Sequence, residues 1–224
     1  MTAPLQPRLE ILPSAQRHLW PRLREVPDDF VLYGGTALAL RRGHRESLDF
    51  DFFSSRSLDP GALLKAVPFL TGAAVIQQAP NTLSVRVDGV NVAFFGGLPL
   101  PVLDQPALVA SNSVVIASLL DLAGTKAKAL LDRIERKDYQ DILELLDAGL
   151  SMSQIAGAAE AIFPAQVSSI MVLRALSHYG DGAARSLPDT WKERLSQEAA
   201  RVRQTPTLRV QYSSISLSSA AARR

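Results

Sequence analysis

Residues 31–53 read VLYGGTALALRRGHRESLDFDFF. Val31-Leu32-Tyr33 has the character of a short buried strand. Gly34-Gly35 follows as a turn in which glycine reaches φ > 0 and lets a ligand approach the main chain. Thr36 is a candidate cap for a helix through Ala37–Leu40, all good helix formers. A helix that starts after a diglycine turn presents free N–H groups and the positive end of its dipole, which suits a phosphate. Ser47-Leu48-Asp49-Phe50-Asp51-Phe52 then alternates with period 2. That puts Leu48, Phe50 and Phe52 on one face of a strand, and Ser47, Asp49 and Asp51 on the other. Carboxylates two strand residues apart lie about 7 Å apart along the backbone. Side chains so spaced can converge on Mg²⁺ or Mn²⁺, which take carboxylates together with substrate phosphates.

Either feature alone has a bland account: a diglycine is usually a turn, and Asp-x-Asp is usually a solvated strand face. Their order strengthens the functional reading, because neighbouring carboxylates repel unless a cation lies between them. Arg41, Arg42, His44 and Arg45 lie between turn and strand. They suit an exposed helix C-terminus, and Arg45 alternatively reaches a bound triphosphate.

GGTALAL, RRGHRES and LDFDFF resemble the nucleotidyltransferase signature, and more narrowly the AbiEii/AbiGii toxin family of bacterial toxin–antitoxin and phage-defence systems. DLAGTKAKALLDRIERKDYQDILELL (Asp121 to Leu146) resembles that family's later lysine and Arg/Lys-Asp-aromatic-x-Asp elements. The resemblance covers roughly residues 10 to 150. It implies an α+β fold, a nucleotidyltransferase-like mixed β-sheet flanked by helices; the C-terminal third carries no family motif and reads from its own residues as a helical bundle. The expected division is a core over residues 1–117 and a mostly helical region over 118–224.

The resemblance also implies roles. Gly34, Gly35, Thr36, Arg45 and Ser47 would hold an NTP, and Asp49 and Asp51 would be catalytic metal ligands. Lys126 would neutralise the leaving pyrophosphate, and Asp138 would orient the site by pairing with Lys126 or Arg133; Asp141 is a weaker candidate. The implied partners are an RNA end such as that of tRNA, or a protein hydroxyl, as acceptor, and a cognate antitoxin. Two other readings stay open: a nucleotide-binding regulatory module with lost catalysis, and a small-molecule nucleotidyltransferase. A third metal-binding carboxylate is missing, for the strand Val90–Phe95 offers only Asn91 and Ala93, and Asp88 belongs to a turn.

Composition sets the outer bounds. With 47% hydrophobic and 21% charged residues, the 224-residue chain can bury a core. The absence of cysteine excludes thiolate metal sites, disulfides and a cysteine nucleophile, and His18, His44 and His178 lack ligand spacing. No apolar run approaches the roughly 20 residues of a membrane span, so a cytoplasmic protein without membrane association is expected. Residues 1–150 carry 15 Lys/Arg against 17 Asp/Glu, and residues 151–224 carry 9 against 5. That asymmetry gives the C-terminal third a mild preference for anions.

Elsewhere, a helix starts at Pro13-Ser14 and is interrupted by Pro21, and another starts at Asp59-Pro60-Gly61. Ala73–Gln78, Thr82–Val87 and Val90–Phe95 read as antiparallel strands, the last two joined by an Asp88-Gly89 hairpin turn. Val114–Ile116 reads as a further strand, and Leu119–Leu131 as a helix. Helices are expected near Met152–Phe163, Val167–Tyr179 and Asp189–Val202, with Ile155, Ile162, Ile170, Leu173 and Leu176 in the core. Leu208–Leu217 reads as a short strand, with Ser213–Arg224 alternatively a mobile tail.

Overall fold

The computed structural model describes residues 5–223, so residues 1–4 and Arg224, the ends of the two expected regions, lie outside the described residues. The chain divides into two units. One runs to Ser118 and resumes at Tyr212; the other is Leu119–Gln211.

The first unit opens with α1 (Ser14–Leu19), which passes at Trp20-Pro21 into 3₁₀ turns. Proline lacks the N–H of an interior helical bond, so the α-helix ends there. Next come β1 (Val31–Tyr33), α2 (Gly34–Arg42), β2 (Asp49–Phe53) and α3 (Pro60–Ala66), the last capped by Asp59. Three strands follow, β3 (Ala74–Ala79), β4 (Thr82–Val87) and β5 (Val90–Phe95), then two short ones, β6 (Ala107–Leu108) and β7 (Val115–Ile116). Together they form a mixed sheet in the order β3-β4-β5-β2-β1-β7-β6, parallel at β2–β5 and β1–β7 and antiparallel elsewhere, and with the helices an α+β fold. The β4–β5 hairpin turns through Asp88 (φ 49°) and Gly89 (φ 83°), both left-handed as a type I′ turn requires.

Alternation gives the sheet two unlike faces. Phe50, Phe52, Leu83, Val85, Val92 and Phe94 are fully buried on one. Trp20 packs near Phe50, and Phe30 meets Phe94 edge-on. On the other face Asp49, Asp51, Ser84, Arg86, Asn91 and Ala93 are half-buried or exposed. Leu48, expected beside Phe50 and Phe52, is instead 63% exposed: β2 starts at Asp49, so Leu48 precedes the ladder that would have turned it inward.

The first unit closes with a helix where a strand or mobile tail was expected. Residues 208–217 contribute only an isolated bridge, Val102 to Tyr212, and α9 (Ile215–Ala222) follows. Hydroxyls hold it: Ser216 bonds Ser55 and Ser54, and Ser219 donates to the Asp28 carbonyl.

The second unit is helical: α4 (Leu119–Asp132), α5 (Arg136–Asp147), α6 (Met152–Ile162), α7 (Ser169–Ala175) and α8 (Asp189–Arg201). Ser151 and Gln154 form the capping box of α6. A Cβ on Gly124 would meet the Ala158 carbonyl oxygen at 2.8 Å, so α4 and α6 cross where only glycine fits. Ile155, Ile162 and Leu176 are core, whereas Ile170 is 59% exposed and Leu173 half-buried. The buried stripe of α7 passes instead through Ser169, Val172 and Leu176, because Ser169 turns in to bond Thr205.

Candidate active site

The diglycine is where chain direction and side-chain chemistry meet. Gly34 has φ +75°, and a Cβ there would lie 2.4 Å from Asp51 Oδ2. A Cβ on Gly35 would lie 2.7 Å from both Arg45 Nη2 and Ser47 Oγ. Asp51, Ser47 and Arg45 therefore lie so close to the first turn of α2 that no side chain fits at either glycine. Tyr33, not Thr36, is the N-cap residue, and its own side chain makes no capping bond. This corrects the expected role of Thr36: fully buried, it donates through Oγ1 to the Asp49 carbonyl oxygen and ties α2 to the start of β2. The N–H groups of the first turn of α2 and the positive end of its dipole suit an anion.

Asp49 is exposed and Asp51 half-buried, both on the open sheet face. Parallel pairing of β2 with β5 sets Asn91 opposite Asp49 and Ala93 opposite Asp51. Asn91 Nδ2 donates to Asp49 Oδ1 at 2.9 Å, and Arg86 Nε donates to Asn91 Oδ1 at 3.1 Å. Asp88 stays in its turn and pairs with Arg22 at 3.4 Å. Among the described residues no group of three or more His, Cys, Asp or Glu side chains is arranged to hold a metal ion. Two hard carboxylates on one strand face, beside a helix N-terminus, nonetheless fit Mg²⁺, which commonly takes one or two carboxylates and completes its shell with phosphate and water.

Arg86 escaped the sequence reading, although a signal was present. The Asp88-Gly89 turn fixes the β4–β5 register and hence the Arg86–Asn91 pair. Arg41, near the C-terminus of α2, donates to the Ile116 and Ala117 carbonyls at 3.0 and 2.7 Å, fastening that helix to the end of β7.

The second unit holds a buried charge cluster of its own. Lys126 Nζ lies 2.7 Å from Asp141 Oδ2 and 3.5 Å from Asp138 Oδ1; the lysine side chain is 6% exposed and both carboxylates are fully buried. Arg133 adds bonds of 3.0 and 3.3 Å to Asp138. Asp138 thus pairs with both Lys126 and Arg133, and Asp141 joins it. Such a cluster fixes the lysine far more closely than a solvated surface helix would.

A family model described as nucleotidyl transferase AbiEii toxin, type IV TA system, matches residues 22–200. An uncharacterized protein of Aquifex aeolicus (strain VF5) is 35% identical over 123 residues, which are 54% of this chain and 59% of that protein. The chain thus spans less than two thirds of the length of that curated relative. The crystal structure of a candidate nucleotidyltransferase from H. pylori superposes with a TM-score of 0.50 at 16% identity, covering 83% of this chain and 92% of that one. At that identity the likeness concerns the fold. No helix among the described residues is long and apolar enough to cross a membrane. The match over residues 22–200 takes in both the GGT–DFD stretch and the Lys126–Asp141 helices, and the chain belongs to the AbiEii nucleotidyl transferase toxin family.

Proposed function

We propose that the protein moves a nucleotidyl group from an NTP to an acceptor hydroxyl, on an RNA end such as that of tRNA or on a protein, as the toxin of a toxin–antitoxin pair with a cognate antitoxin. One observation carries this: the N-terminal turn of α2 lies within a Cβ's reach of Asp51, Ser47 and Arg45. A phosphate bound by α2 N–H groups would meet a hydroxyl, a guanidinium and a carboxylate at once. Gly34 and Gly35 bind through the backbone, while Thr36 keeps that backbone registered on β2. Ser47 and Arg45 donate to phosphate oxygens, Arg45 as a planar fork suited to them.

Asp49 and Asp51 would hold a divalent cation, which when bound polarises the α-phosphate and eases deprotonation of the attacking hydroxyl. Most of the rate would come from positioning and charge stabilisation, as is general for phosphoryl chemistry. For Lys126 the proposal, which rests on the resemblance of residues 121–146 to the family's lysine element, is a point charge toward the leaving pyrophosphate; within the helical unit its charge is shared with Asp141 and Asp138. The compartment implied by this chemistry and its partners is the cytoplasm.

Incubation with each α-labelled NTP, Mg²⁺ and cellular RNA tests the reading. Label transfer that Asp49→Asn abolishes supports it. Asn91 and Ala93, standing where a third acid would be, favour a second reading, a nucleotide-binding regulatory module. Tight nucleotide binding without transfer to RNA or protein establishes that reading instead.

A further inference from the structure

We propose that Arg86 and Asn91 form a positioning pair that fixes Asp49 and replaces a third acidic ligand, so that the centre takes one divalent cation. The inference rests on the nucleotidyltransferase reading above. Three adjacent strands set the residues in one row: Arg86 opposite Asn91 across β4–β5, and Asn91 opposite Asp49 across β5–β2. The amide can face only one way. A carboxylate only accepts and a guanidinium only donates, so Nδ2 must point to Asp49 and Oδ1 to Arg86; a flipped amide would break both bonds.

Two consequences follow from this row. Asp49 Oδ1 is held toward β5, so the orientation of its carboxylate is set before any ligand arrives. And the place from which a third carboxylate would bridge a second cation holds a neutral amide, with a guanidinium 3.1 Å behind it. That fixed positive charge opposes a second cation, and Ala93 offers Asp51 no neighbouring oxygen.

Mn²⁺ titration of the full chain with a non-hydrolysable NTP analogue, followed by electron paramagnetic resonance, counts the ions. One Mn²⁺ per chain is expected for the natural sequence and two for Asn91→Asp. Arg86→Gln should lower kcat for label transfer about tenfold while Mn²⁺ binds no more weakly, the signature of lost orientation rather than a lost ligand. Two ions on the natural chain with transfer intact would overturn the inference alone, and so would an unchanged kcat in Arg86→Gln. No ion and no transfer would defeat the nucleotidyltransferase reading, and this inference with it.

Discussion

Replacing Lys126 by methionine keeps the length of the side chain and removes its charge. At an effective dielectric of about 20, a unit charge 2.7 Å from Asp141 and 3.5 Å from Asp138 gains roughly 6 and 5 kcal/mol of gross attraction. Most of that is offset by the desolvation of three groups that are almost wholly buried. Removing one partner forfeits the attraction but not the burial of the others, and such losses run to about 3–5 kcal/mol. Asp138 keeps Arg133 and so is not stranded, which points to the lower half of that range. Hydrogen exchange read by mass spectrometry is the suitable assay, because peptides from residues 119–147 report on α4 and α5 while peptides from residues 82–95 serve as an internal reference. A loss of about 3 kcal/mol raises exchange in the first set on the order of 10²-fold and leaves the second unchanged. The double variant Lys126→Met/Asp141→Leu should recover at least half of the loss, since a buried ion pair exchanged for apolar groups is often neutral. A single-variant loss below about 1 kcal/mol, with no recovery in the double, would show that water screens the cluster.

Gly34→Ala puts a methyl group 2.4 Å from Asp51 Oδ2 at φ +75° and should cut label transfer at least about 100-fold with the circular dichroism retained. Gly72→Ala, at φ +78° with nothing within 4 Å, is the control: it should cost only about 1 kcal/mol of stability and leave transfer unchanged. Burial raises the phenols of both Tyr139 and Tyr179 above their ordinary value of 10.0. Because their folded values are raised, the stability they confer is complete below about pH 10 and falls as pH climbs through the folded values. In an alkaline titration followed at 295 nm, the buried Tyr139 phenol should ionise only as the helical unit unfolds, and the half-buried Tyr179 above the ordinary tyrosine range; ionisation of Tyr139 ahead of unfolding would contradict its burial.

Local chemistry made much of the fold legible. The alternation of LDFDFF placed Asp49 and Asp51 on one strand face, and Asp88-Gly89 set a hairpin. Each of these signals spans six residues or fewer. The misreadings lie where a distant partner decides. Thr36 is a good N-cap residue by type, yet the Asp49 carbonyl, 13 residues on, claims its hydroxyl. The stretch 208–217 alternates as a strand does, but no neighbouring strand continues past the Val102–Tyr212 bridge. The ISLSSAAA segment becomes a helix whose serines bond Ser54, Ser55 and Asp28, more than 150 residues earlier in the chain.

The candidate site divides along the same line. Within the continuous segment from Gly34 to Asp51, the diglycine turn and the shared face of Asp49 and Asp51 could be assembled from propensity and period, whereas the bond of Thr36 to the Asp49 carbonyl could not. The Arg86–Asn91–Asp49 row could not, because it needs two registers together. The β4–β5 register is local and follows from a two-residue turn. The β2–β5 register joins parallel strands across an intervening helix and hairpin, and no turn sets it. A slip of one residue there would set Asn91 against Phe50, on the buried face, and take the amide away from the carboxylate. Burial of Phe50, Phe52, Val92 and Phe94 on the far side of the sheet forbids that slip. The apolar face, which takes no part in chemistry, thus keeps Asn91 on the same face of the sheet as Asp49.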